Sequence, residues 1–289
     1  MLPPFRLLEP TSVAEAATEL GRLGEDAKVY AGGAELLLLM RNGLLQPGWL
    51  VNVKGIGAIN VIAADDGAVR IGATVSHHRL ERDPLVCERL PLLALAESQV
   101  ANPRVRAQGT LGGNLCFADP HSDPPTALLV HEAAVTVSGK DDNRILPLDQ
   151  FLVGPYQTAL QPDELLCWVE VPPLPPGWGH AFGRIERFHR PTVNVGVAAS
   201  IEGGRVAAAR LVVGCVGPKA LRLAEVEKKL LGLHLEEAKR AIASSSGYLK
   251  DLLQPVEDLL GSAEYKLHVT AVLLARALAQ AASMSNGQA

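Results

Sequence analysis

The residues with the most chemical content lie between 108 and 125, in the run Gln108-Gly109-Thr110-Leu111-Gly112-Gly113-Asn114-Leu115-Cys116-Phe117-Ala118-Asp119-Pro120-His121-Ser122-Asp123-Pro124-Pro125. Glycine admits positive φ and close approach of another group, so a Thr-Leu-Gly-Gly-Asn run can present backbone N–H groups to an anion. The stretch reads as a phosphate cradle. A second one is Gly32-Gly33-Ala34-Glu35, which joins a short strand to a helix and leaves the N–H groups of the helix start unpaired. Other reactive side chains form no constellation. His77 and His78 read as a helix start at the surface, with no third metal ligand nearby, and Tyr156, His180 and His189 are single polar residues without an acid/base partner.

The whole chain narrows the class of function. With 289 residues, 48% hydrophobic and 20% charged, it can fold as two or more globular domains. A formal net charge of -4 gives no attraction to nucleic acid or an anionic membrane. Cys87, Cys116, Cys167 and Cys215 are dispersed, without a CxxC or CxxH pair, and read as structural reduced thiols rather than metal or redox ligands. The Pro-rich N-terminus is not patterned as a signal peptide, and no run of about 18 apolar residues suggests a membrane span. A cytoplasmic protein is expected.

The elements that must hold the two glycine runs are short and mixed. Helical spacing predicts helices over 11–23, 36–41, 91–99, 220–231, 235–244 and 262–282, the last with Tyr265, Val269, Val272, Leu273 and Leu278 on its apolar side. Strands are expected at 27–31, 49–53, 69–75, 133–138 and 164–171. Residues 193–201 and 206–213, joined at Gly203-Gly204, read as a hairpin, and the Pro-rich 172–177 marks a boundary.

Taken together and in order, these runs resemble a known family. Ala31-Gly32-Gly33-Ala34-Glu35-Leu36 and Thr110-Leu111-Gly112-Gly113-Asn114-Leu115, followed by Ala118-Asp119-Pro120 and Asp123, are similar to the FAD-binding subunit or domain of the molybdenum hydroxylases, the group of xanthine dehydrogenase and aerobic carbon monoxide dehydrogenase. The resemblance continues through Ile71-Gly72-Ala73-Thr74-Val75-Ser76-His77, Asp163-Glu164-Leu165-Leu166, Gly214-Cys215-Val216-Gly217-Pro218 and Ser262-Ala263-Glu264-Tyr265-Lys266. It covers nearly the entire chain. Implied is an α+β fold, a two-lobed PCMH-type FAD-binding domain (1–54 and 55–176) followed by a C-terminal domain of antiparallel sheet and helices (177–289).

The resemblance also implies site residues. The two glycine runs converge on the FAD pyrophosphate, so Val29, Tyr30, Ala31, Gly32, Gly33, Ala34 and Glu35 on one side and Thr110, Gly112, Gly113 and Asn114 on the other are carried over as flavin-binding positions. Asp123 matches the position that holds the ribose and adenine side. Val100, Cys116, Ala118 and Leu166 match positions around the cofactor, and a basic side chain, Arg184 or Arg187, approaches the flavin. The sequence departs from the family at Ala34, where Ser or Thr is frequent, and at Pro191-Thr192-Val193, where a basic run followed by Asp is usual.

The implied role is an electron-transfer flavoprotein subunit. Its partners would be a molybdopterin-binding large subunit and a [2Fe-2S] small subunit, and its electrons would go to an external acceptor. A flavin-free structural subunit and a stand-alone flavin oxidoreductase are the alternatives. No GxGxxG follows a strand, so a nicotinamide site has no fingerprint here.

Overall fold

The computed structural model describes residues 2–187 and 190–286, without the side chains of residues 187, 246 and 286. The chain opens with β1 (Arg6–Leu8), α1 (Val13–Leu23), β2 (Ala27–Tyr30), α2 (Leu36–Arg41) and β3 (Trp49–Asn52). Both outer strands pair in parallel with β3, giving the order β1-β3-β2. Parallel strands need crossover connections, which α1 supplies between β1 and β2 and α2 between the neighbours β2 and β3. Ser12 caps α1 by accepting from the Glu15 N–H at 3.2 Å.

The second lobe is a five-stranded antiparallel sheet interrupted by helices. After β4 (Ile62–Asp65) and β5 (Ala68–Gly72) come α3 (His77–Leu80), α4 (Pro84–Arg89), α5 (Pro91–Ser98), α6 (Pro103–Gln108), α7 (Leu111–Phe117) and α8 (Pro124–Val130). The chain returns through β6 (Ala134–Ser138), β7 (Asn143–Pro147), α9 (Leu148–Phe151), the small hairpin β8 (Leu152–Gly154) and β9 (Gln157–Thr158), and β10 (Leu165–Val171). The sheet order is β4-β5-β10-β6-β7. Several of these elements were not legible in the pattern. The run at 110–117 is a helix rather than a loop, and α4 and α6 are each announced by an Asx cap and Pro, Asp83-Pro84 and Asn102-Pro103.

Residues 172–178 lead into the C-terminal domain. Here β11 (Gly179–Arg187), β12 (Arg190–Glu202), β13 (Arg205–Gly214) and β14 (Leu221–Arg222) form a sheet in sequence order, followed by α10 (Ala224–Leu230), α11 (Leu235–Ala243), α12 (Ser246–Leu253) and α13 (Ala263–Asn286). The β12–β13 turn is Gly203-Gly204, both at positive φ, as the hairpin reading requires. The helix expected at 220–231 is confined to α10, because Leu221 and Arg222 pair with β13 instead. α13 is long and apolar enough to cross a membrane by composition, yet it packs along β11 and β12 with Leu274, Leu278 and Ala281 fully buried. Tyr265, expected on its apolar side, is instead about half exposed.

β12 is buried on both faces, and the two faces go to different cores. Val193, Val195, Val197 and Ala199 join α13 in the core of the C-terminal domain, whereas Ala198 belongs to the core of the second lobe, and Gly196 faces Thr126 and Val130 of α8. The period-2 alternation of a strand produces this division. The C-terminal sheet is thus one layer shared by two cores.

A second joint lies beside it. His131, at the C-terminal end of α8, is completely buried and donates from Nδ1 to Pro172 O at 2.9 Å. Burial pushes its pKa down to about 4. Because the unfolded chain takes up this proton at its ordinary value of 6.5, the contribution of neutral His131 to stability is complete above pH 6.5 and is lost as pH falls toward about 4. The His131→Leu variant is expected to lose this part of the acid sensitivity, on the order of 3 kcal/mol at the acid end. Thermal unfolding midpoints of both proteins from neutral to acid pH check this; parallel curves contradict it.

Candidate functional site

The two glycine runs meet. A Cβ on Gly32 would stand 2.3 Å from Gln108 O and 2.8 Å from Gly109 Cα, so the loop after β2 touches the turn between α6 and α7 backbone to backbone. Only glycine permits that approach. Around the contact opens a cavity of about 630 Å³ between the lobes, a size suited to a bound cofactor. Its walls include Val29, Ala31, Gly32, Gly33, Ala34 and Glu35 from the first lobe, Val100, Thr110, Gly112, Gly113, Asn114, Cys116, Asp123 and Leu166 from the second, and Arg184 from the C-terminal sheet. Of the positions carried over from the family, Tyr30 and Ala118 are not on the wall. Tyr30 stacks under the Lys54 ammonium, 4.2 Å from the ring centroid, and Ala118 is the left-handed C-cap of α7.

The two runs offer different chemistry. Among the described residues, the N–H groups of Gly32, Gly33, Ala34 and Glu35 donate to no protein acceptor, which makes this loop a ready anion cradle. In the second run the backbone is already satisfied: Leu111 N donates to Val75 O, Gly112 N to Ala73 O, Gly113 N to Thr110 Oγ1 at 3.0 Å and Asn114 N to Thr110 O. Here Thr110 is the N-cap of α7, and the polar side chains that this run brings to the cavity-lining residues are the Thr110 hydroxyl and the Asn114 amide. Burial raises the pKa of Glu35, opposed by Arg190.

Three groupings of ionisable side chains, two buried and one only partly so, frame the cavity. His77, expected at the surface, is buried beneath the α6–α7 turn, where its N–H donates to Gly109 O and its Nδ1 lies 2.5 Å from Glu97 Oε2. Asp123 is buried beside Arg184, with Oδ2 3.5 Å from Nε. Burial pushes its pKa up to about 6, with Arg184 and a hydrogen bond from Asn194 pulling the other way. The third is a row of ionisable side chains from Arg190 to Lys266. Arg190 lies 3.3 Å from Asp119, whose other oxygen accepts from His121 N; His121 Nε2 lies 3.1 Å from Asp258; and Asp258 accepts from Lys266 of α13 at 2.7 Å. Although burial alone would raise the Asp119 pKa, its bonds to His121 and the Arg190 charge hold it below the usual carboxylate range. Sequence reasoning missed Asn194 and Lys266; the side chain of Arg187 and all of His189 lie outside the described residues.

With this geometry in hand, the comparisons with known proteins are specific. A family model for the FAD binding domain in molybdopterin dehydrogenase matches residues 3–174, and one for the CO dehydrogenase flavoprotein C-terminal domain matches residues 187–281. The carbon monoxide dehydrogenase medium chain of Hydrogenophaga pseudoflava is 34% identical over 281 residues, covering 96% of this chain and 97% of that one. The nicotine 6-hydroxylase medium subunit of Paenarthrobacter nicotinovorans is 32% identical over 280 residues, covering 97% and 98%. Among solved structures, carbon monoxide dehydrogenase from H. pseudoflava superposes with a TM-score of 0.93 at 34% identity over 98% of this chain and 99% of that one. Quinoline 2-oxidoreductase from Pseudomonas putida 86 gives 0.91 at 28% identity, over 100% and 99%. Fold and cavity therefore define an FAD-binding oxidoreductase component. The chain belongs to the FAD-binding medium subunits of the molybdenum hydroxylases.

Two measurements probe the site. Gly32→Ala forces apart two backbones, so a loss of roughly 1–3 kcal/mol is expected in denaturant unfolding. Burial pushes the Cys116 thiol up to about 12 and raises those of Cys167 and Cys215, whereas Cys87 is exposed. Alkylation of the folded protein at mildly alkaline pH is expected to label Cys87 alone, read by peptide mass spectrometry; fast labelling of Cys167 or Cys215 contradicts the burial argument.

Proposed function

We propose that this chain is the electron-transfer flavoprotein of a three-subunit molybdenum hydroxylase, receiving electrons from a [2Fe-2S] partner and delivering them to an external acceptor. The observation that supports it is the cavity wall with four backbone N–H groups, at residues 32–35, that have no protein acceptor among the described residues. A pyrophosphate carries two negative charges, and burying it without full neutralisation by Lys or Arg requires such donors. Bound FAD supplies a ring system that takes up a pair of electrons and passes them on singly or together.

The protein's own groups do the binding and orienting. The N–H groups of Gly32 to Glu35 hold the pyrophosphate from one side, with the Thr110 hydroxyl and the Asn114 amide opposite. Asp123 accepts from a ribose hydroxyl. Val29, Val100, Cys116 and Leu166 give apolar surface to the rings and keep water from them. At Ala34 the side-chain hydroxyl frequent in the family is absent, and the residue offers its backbone N–H alone. Among the described residues no three His, Cys, Asp or Glu side chains are grouped to hold a metal, so the metal centres of the route are assigned to the partner subunits.

The test is a titration of the purified chain with FAD, followed by quenching of flavin fluorescence. Wild type is expected to bind one FAD. A Gly113→Val side chain displaces Thr110 Oγ1, 2.9 Å from the new Cβ, and enters the cavity, so this variant is expected to remain folded and colourless. Loss of the Thr110 cap costs about 1 kcal/mol, which leaves the fold intact. Full flavin absorbance in Gly113→Val refutes the assignment. Recovery of iron-sulfur and molybdenum subunits with the chain from its native source tests the partners.

A further inference from the structure

Asn194 is a fully buried amide in the mainly apolar stretch Val193 to Ala199 of β12. On β12 it takes the face turned toward α8, and its Nδ2 donates to Asp123 Oδ1 at 2.8 Å and to Ser122 O at 3.2 Å. Its Oδ1 accepts from Thr126 Oγ1 at 2.8 Å. The Ser122 carbonyl and the Asp123 carboxylate can only accept, so they fix which end of the amide points at Asp123, and the Thr126 hydroxyl completes the set by donating to the other end. From Ser122 the chain of bonds continues, Oγ donating to Asn114 Oδ1 at 2.6 Å. Asp123 and Asn114 line the cavity, while Asn194 and Thr126 do not.

The surrounding sequence makes room for this amide. Gly214 is its partner across the β12–β13 ladder, and a Cβ there would stand 2.2 Å from Asn194 Oδ1 and 2.3 Å from Thr126 Oγ1. Any other residue at 214 collides with the pair. An apolar residue at 194 would fill the same space at no cost in desolvation. A buried amide in a two-sided strand therefore has its use in the directed bonds it makes.

We infer that Asn194 is a positioning residue: from the C-terminal sheet it sets the Asp123 carboxylate and, through Ser122, the Asn114 amide at the cavity wall, so that FAD affinity depends on how that sheet seats against the second lobe. This rests on the reading of the cavity as the FAD site. The charged and titratable groups facing Asp123 are Arg184 and Glu186 of β11, Glu97 of α5 and the buried thiol of Cys215. Of these only the Cys215 thiol is a neutral donor, and its S–H is directed to Ser122 O rather than to Asp123.

The experiment is FAD binding by the full-length chain, measured by fluorescence quenching at about pH 7.5 and about pH 5, chosen to bracket the titration of a buried carboxyl pair. Asn194→Asp keeps shape and replaces the donor by a carboxylate. FAD affinity is expected to fall about tenfold or more at the higher pH, the loss of a hydrogen bond to a charged group, and to recover at the lower pH, where a proton shared with Asp123 restores the donor. Wild-type affinity at the higher pH, or an equal loss at both, overturns the inference. Should Asn194→Asp fail to fold, Thr126→Val decides: it removes the donor to Asn194 Oδ1, so the amide is held from one end only and its bond to Asp123 is looser, and about threefold weaker binding is expected. Unchanged binding there also overturns it. Absence of FAD binding by wild type would overturn the cavity assignment itself, and is seen before any variant is compared.

Discussion

Everything at the cavity depends on a contact that contains no side chain. Gly32 meets Gln108 and Gly109 backbone to backbone, and this sets the separation between a parallel three-stranded lobe and a mainly helical insertion in an antiparallel one. Neither lobe could close the cavity alone, since the donors and apolar surface come from both. A core of packed side chains tolerates compensating changes in volume, but two touching main chains leave nothing to repack. The position of the cavity is therefore more tightly specified than the cores on either side.

Charge is used around that contact to hold loops rather than to build a reactive centre. His77 and Glu97 brace the turn from below, while the row from Arg190 to Lys266 ties the loop after α7 to the start of α13. Each group has a hydrogen-bonding or ionic partner at close range, which is what permits the burial of Glu97 and Lys266. The carboxylates Asp119 and Asp123 are engaged in this way, the first by His121 and Arg190 and the second by Asn194 and Arg184.

The sequence made the glycine runs legible because close approach and unpaired N–H groups demand particular residue types. It also showed the β12–β13 hairpin, where Gly203-Gly204 separates two strands, and the α+β class. It was less informative where one signal covered two causes. The Gly-Gly of residues 112 and 113 reads as loop, yet Thr110 caps a helix there and Gly112 packs on Ala73. A strand buried on both faces gives an unbroken apolar run, so the division of β12 between two cores was hidden. Asn194 within that run was the available clue. His77 was read as exposed because its partner, Glu97, lies on another helix.

The fully buried ammonium of Lys266 ties the end of the polypeptide to the wall of the cavity. A chain cut before α13 would lose more than a covering helix. Asp258 would face His121 without its cation, and the loop carrying Asp119 would be left to find a new partner. Trimming the C-terminus from its far end, beyond Ala282, leaves that anchor in place, whereas removing the first turn of the same helix takes it away. For any truncated form of this subunit, the informative boundary is set by one lysine rather than by where a domain seems to end.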